Sequence, residues 1–99
     1  MRVLWSEWAL LQLDEIHAYY TAGANADVAD RIVASILETT LLLERFPFGG
    51  QMEPWLEHVG QGHRRLVIGN YKVIYQVVED IVRIIDVFDS RQDPEKMRT

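Results

Sequence analysis

The chain has no cysteine, only three prolines, six glycines and three histidines, and ten basic residues against fifteen acidic ones. Without cysteine there are no disulfides, no thiolate nucleophiles and no Cys-ligated zinc or iron–sulfur sites, a composition that suits a reducing, cytoplasmic compartment. His17, His58 and His63 lack metal-ligand spacing, so they read as surface histidines, and neither a metal nor another cofactor is expected. Long apolar runs are absent too. Glu7 interrupts the N-terminal stretch MRVLWSEWALL too early for a signal peptide, and no segment has the length of a membrane span.

What is present is a chain of 99 residues, 48% hydrophobic and 10% aromatic, which fits one compact domain over residues 1–99. Its net charge is −5, unevenly placed. Residues 1–62 hold three basic and nine acidic side chains, whereas residues 63–99 hold seven basic and six acidic. That asymmetry argues against a protein coating nucleic acid over its whole surface and leaves room for a local cationic patch.

Val3 and Trp5 alternate as in a short strand, and Ser6 stands where a helix N-cap belongs, with Glu7 in the first turn. Ala9, Leu13, Ile16 and Tyr20 recur at helical spacing. TAGANAD breaks the pattern, with Gly23 as terminator and Asn25 or Asp27 as the next cap. A second helix is predicted from about Asp27 to Arg45, with Ala29, Ile32, Val33, Ile36, Thr40 and Leu43 on its apolar face and Pro47 beyond its end. FPFGGQMEPWLEHVGQG then reads as a long loop with one helical turn near Trp55–Val59.

Three strands follow, at about Arg64–Ile68, Tyr71–Val78 and Ile81–Phe88, joined by short turns at Gly69-Asn70 and Glu79-Asp80. The expected class is α+β: an N-terminal strand, a helical hairpin, then a three-stranded antiparallel meander forming one twisted sheet packed on the helices. Counting outward from the turns pairs Leu66 with Val73, Val67 with Lys72, Tyr75 with Ile84 and Val77 with Val82. One face then collects Leu66, Ile68, Val73, Tyr75, Val77, Val82 and Ile84, the expected core face. The other, expected to be open, collects His63, Arg65, Val67, Lys72, Ile74, Gln76, Arg83 and Ile85.

Two readings of that basic face follow from patterning alone. Long cations cover an open sheet with their stems while their heads stay in water, or they converge as a site for phosphates or acidic side chains. Asp86 and Asp89 read as structural partners for Arg64 or Arg91. Trp5 and Trp8 read as core and rim aromatics. Trp55 is either a docking anchor or a loop aromatic folded back on the core.

The WSEWALLQLDEIHAYY opening, the Pro47–Gly49 segment, Arg65-Leu66 followed by YKVIY, and the final VFDSRQDP resemble, in order and spacing, the RelE/ParE superfamily of toxins from type II toxin–antitoxin modules. The resemblance covers nearly the whole chain. It implies growth arrest and plasmid stabilisation, neutralisation by a cognate antitoxin, and a toxin–antitoxin hetero-oligomer. In the RelE branch the toxin is a metal-independent, ribosome-dependent mRNA endoribonuclease. The basic set implied here by that branch is His63, Arg65, Lys72, Arg83 and Arg91. In the ParE branch the toxin has the same fold without that set and poisons DNA gyrase. The long N-terminal helices and the absence of Tyr or His from residues 89–99 place the resemblance nearer the ParE branch. The ribonuclease, and a degenerate non-toxic binding module, remain the alternatives. Val67, Ile74, Ile85, Trp55 and Leu56 are the implied antitoxin anchors.

Overall fold

The computed structural model describes residues 1–99. Strand β1 (Arg2–Trp5) leads into helices α1 (Glu7–Gly23) and α2 (Ala26–Leu41), followed by β2 (Gln51–Met52), β3 (Arg64–Ile68), β4 (Tyr71–Val78) and β5 (Ile81–Asp89). One five-stranded sheet has the order β1-β5-β4-β3-β2, with β1 parallel to β5 and the other pairs antiparallel. The α+β class and the helical hairpin stand as expected. The sheet gains one strand, β2, from the segment read as irregular loop. Two residues are too few for strand periodicity to show.

Local chemistry explains the boundaries. Ser6 Oγ accepts from the Ala9 backbone N–H at 3.0 Å and donates to the Ile85 carbonyl at 3.1 Å, so the cap that starts α1 also fastens it to β5. Asn25 caps α2, its Oδ1 accepting from Val28 N–H at 2.9 Å. The α-helix ends at Leu41 rather than Arg45 and tightens into a 3-10 turn over Leu42–Glu44 before Pro47. At the hairpin turns, Gly69 (φ 59°) and Glu79 (φ 56°) each supply the positive φ that a two-residue connection needs.

The turn-derived register holds for β3 with β4 and for the end of β4 with the start of β5, including Tyr75 with Ile84 and Gln76 with Arg83. Beyond Tyr75 it changes, because Ile74 pairs with Asp86, leaving Ile85 as the extra residue of a β-bulge. The bulge shifts parity, so Val87 joins the core opposite Val73 while Asp86 and Phe88 turn to the other face.

Both faces of the sheet are therefore covered. Ala9, Leu13, Ile16, Ile36 and Leu43 pack on Tyr71, Val73, Tyr75, Val82, Ile84 and Val87 in the main core. On the opposite side, Leu56 and Met97 pack on Ile74 and Phe88. The expectation of an open second face is corrected: a 3-10 turn over Pro54–Val59 and the segment around Met97 lie across it.

Gly50 lies where β2 begins, under Tyr75. Its N–H donates to Tyr75 Oη at 2.8 Å, and a Cβ there would lie 2.5 Å from the Arg65 carbonyl oxygen and 2.6 Å from Tyr75 Oη. One of those neighbours is backbone in a sheet and the other is a fully buried ring, so neither can yield cheaply. Gly50→Ala is expected to destabilise the fold by about 1–3 kcal/mol, read as a lower urea midpoint with an unchanged slope.

Candidate functional site

The second face is where the basic residues were expected to meet. The β3–β4 register makes Arg65 and Lys72 diagonal neighbours, since Arg65 pairs with Ile74 and Lys72 with Val67. Gln51 of β2 lies opposite Arg65, so Gln51 and, two residues on, Glu53 project to that same face. The Glu53 N–H extends the ladder by donating to the His63 carbonyl at 2.9 Å. Pro54 then starts the 3-10 turn that carries Leu56 over Ile74.

The result is a fully buried carboxylate beneath two cations. Lys72 Nζ donates to Glu53 Oε1 at 3.1 Å and Oε2 at 3.3 Å, and Arg65 Nη1 to Oε2 at 3.3 Å. Arg65 also donates to the Met52 carbonyl at 3.1 Å and to Gln51 Oε1 at 3.3 Å. Glu53 has no exposed side-chain surface, whereas Arg65 and Lys72 retain 20% and 19%. A buried carboxylate is tolerable only when paired, which is what the two cations accomplish.

The other expected site residues do not join this pair. His63 is buried, with Nε2 at 3.2 Å from the Thr99 carbonyl oxygen. A carbonyl only accepts, which assigns the ring proton to Nε2, and the buried Nδ1 has no partner. Arg83 is exposed and pairs with Gln76, five residues along β5 from Phe88, the partner of Lys72. That spacing separates Arg83 from the pair by roughly 15 Å. Arg91 grips Asp89 through Nε at 2.9 Å and Nη2 at 2.8 Å. This hydrogen bonding holds the Asp89 carboxyl below its ordinary range.

The expected apolar anchors divide in the same way. Val67 and Trp55 are more than half exposed, so Trp55 does not fold back on the core. Leu56, Ile74 and Ile85 are buried, which corrects their expected exposure: Leu56 is itself part of the cover over Ile74, and Ile85 is the bulge residue.

A second buried carboxylate lies at the bulge. Asp86 accepts from Trp8 Nε1 and from the Arg98 N–H, each at 3.0 Å, and the Arg98 guanidinium stacks 3.9 Å over the Trp8 ring. Arg64, by contrast, donates to the Gly50 carbonyl at 2.8 Å and lies over Phe48. Sequence reading missed Glu53 and the partners of Asp86. The signal for Glu53 was an acidic residue two positions past Gln51 and immediately before a helix-starting proline, legible only once β2 is known to pair with β3.

Two outcomes follow from these clusters. Glu53 is the fully buried member, so removing both cations strands it, whereas removing the carboxylate lets two partly exposed cations reach water. Arg65→Met with Lys72→Met is expected to cost about 3–5 kcal/mol, and Glu53→Gln less, as measured by urea denaturation. At Asp86, burial raises the carboxyl above its ordinary 3.8, against the lowering effect of Arg98 and Trp8. Between 3.8 and the raised value the folded chain holds more protons than the unfolded one, so acidification there stabilises it. The stability of the wild type relative to Asp86→Asn is therefore expected to rise as pH falls from neutrality into that window, as read from paired denaturation curves.

Comparison with known proteins agrees with this architecture. The solved structure of a chromosomal ParDE TA system from P. aeruginosa contains a chain similar to this one, with a TM-score of 0.78 and 21% identity, covering 90% of this chain and 95% of that one. At that identity the likeness is one of fold. A search of curated proteins finds no significant match. The model of the family described as ParE toxin of type II toxin-antitoxin system, parDE, matches residues 3–94, and the chain belongs to that family.

Proposed function

We propose that this ParE-family toxin acts in the cytoplasm, arrests growth by poisoning DNA gyrase, and is silenced by a cognate antitoxin within a toxin–antitoxin hetero-oligomer. One observation carries the choice of target. A ribonuclease cluster needs cations free to hold a phosphate and its developing charge, but here Arg65 and Lys72 are paired with Glu53, and Arg91 with Asp89. His63 is buried, Arg83 is remote along β5, and the net charge of −5 opposes entry into an RNA cleft. A protein target places no such demand on the basic set.

Two features support antitoxin binding. Leu37, Leu41, Leu42, Phe46 and Phe48 are all exposed along the end of α2 and the segment after it, a run of large apolar side chains for a partner to cover. In addition, β1 ends at Trp5 opposite Ile84, so β5 has no strand neighbour on that side from Ile85 to Asp89. A groove of about 720 Å³ lined by Trp8, Tyr19, Asp86 and Arg98 runs along it. An extended segment of an antitoxin is expected to lie in that groove, with Val67 and Trp55 as further exposed apolar contacts.

Induced expression without the antitoxin is expected to arrest growth with gyrase-linked DNA breaks, and co-expression of a neighbouring antitoxin gene to relieve it. Unchanged growth overturns the toxic action and leaves a binding module. Arrest with mRNA cleavage that is lost in Arg65→Ala and Lys72→Ala replaces gyrase with the ribosome as target.

A further inference from the structure

We infer that Glu53 is a specificity-determining residue: its carboxylate fills an oxyanion site built by Arg65 and Lys72 and so keeps phosphate groups, free or in RNA, off this face of the sheet. The inference concerns what the face binds and does not depend on gyrase being the target.

The geometry is that of an anion site with an internal occupant. Two cations from adjacent strands converge on one carboxylate, and Lys72 reaches both of its oxygens. The three contacts measure 3.1–3.3 Å, longer than the about 2.7–2.9 Å of a tight charge-assisted hydrogen bond. One donor of the pair nonetheless stays unused. Arg65 Nε is buried without a partner, although Nη1 and Nη2 both have acceptors. A planar carboxylate on a short tether thus leaves the guanidinium incompletely used, whereas a tetrahedral phosphate brings more acceptor oxygens to the same donors.

Access and charge point the same way. The two cations keep about a fifth of their side-chain surface in solvent while Glu53 keeps none, so the pair is approached from outside and the carboxylate blocks it from beneath. With Glu53 ionised the three side chains sum to a single positive charge; with a neutral residue there they sum to two. The chain is otherwise acidic, so long-range attraction for a polyanion is weak and the local pair decides whether one stays bound.

The test titrates inorganic phosphate, and separately a short single-stranded oligoribonucleotide, into the purified full chain. The Arg65 Nε–H NMR signal and the melting temperature are followed. The wild type is expected to show no saturable change over a titration that reaches at least about ten times the dissociation constant of Glu53→Gln, which is expected to saturate. The gain is expected to disappear in Glu53→Gln with Lys72→Met. If phosphate and the oligoribonucleotide both bind Glu53→Gln, the site takes the phosphate group in either setting; binding of phosphate alone restricts it to the free ion, and the assignment of an oxyanion site still stands. Wild-type binding equal to that of Glu53→Gln overturns the inference, as does a folded Glu53→Gln that gains nothing or a gain that survives loss of Lys72. Should Glu53→Gln not fold, Glu53→Asp keeps the charge but withdraws it by one methylene. It is expected to show a smaller gain, and no gain in that variant overturns the inference equally.

Discussion

A carboxylate with no contact with water has to be paired, and that requirement at Glu53 organises one side of this molecule. Pairing with Arg65 and Lys72 needs β2 beside β3, in the register that sets Gln51 opposite Arg65. Once Glu53 is held, Pro54 and the turn after it have one place to go, across the sheet, and Leu56 closes over Ile74, Phe88 and Met97. The small second core and the ion pair therefore support each other. The apolar cover removes water from the carboxylate, and the paired carboxylate fixes the segment that carries the cover. A ParE-family toxin with a net negative charge thereby keeps a basic pair in its sheet without presenting a free cationic surface.

The bulge at Ile85 does comparable work on the opposite edge. Inserting one residue into β5 returns Val87 to the main core and turns Asp86 to the opposite face, where it is buried and Trp8 of α1 and the Arg98 N–H both donate to it. Ser6 reads the same place in the strand, donating to the Ile85 carbonyl while capping α1. Helix, strand and C-terminal segment meet at three polar contacts that a regular strand would not offer. The groove along β5 exists because β1 stops at this point. The groove is thus a consequence of strand length and of the bulge rather than of any local motif.

Much of the fold was legible because its signals are local. Ser6 and Asn25 announce the helix starts, the step of three and four gives the buried faces Ala9–Leu13–Ile16 and Ala29–Ile36, and the two-residue turns set the first half of each strand pairing. The candidate site was legible only as a list of residues. Turn counting correctly brought Arg65 and Lys72 to one face and set Arg83 opposite Gln76, but it could not tell that the face is covered or that Arg91 closes on Asp89 two residues away. Leu56, Ile74 and Ile85 looked exposed for the same reason, since alternation assigns a side of the sheet and says nothing about what lies on it.

The sequence by itself determined the order of elements, the apolar stripe of each helix, the turn positions and the separation of charge between the two parts of the chain. Each of these depends on residues a few positions apart, whose propensities, caps and periodicity act before any distant contact forms. Tertiary structure alone decided that two residues after Gly50 become a strand, that Ile85 is a bulge, and that Glu53 lies beneath Arg65 and Lys72. Those outcomes rest on contacts between segments 12 or more residues apart, where burial and pairing of charge outweigh local preference.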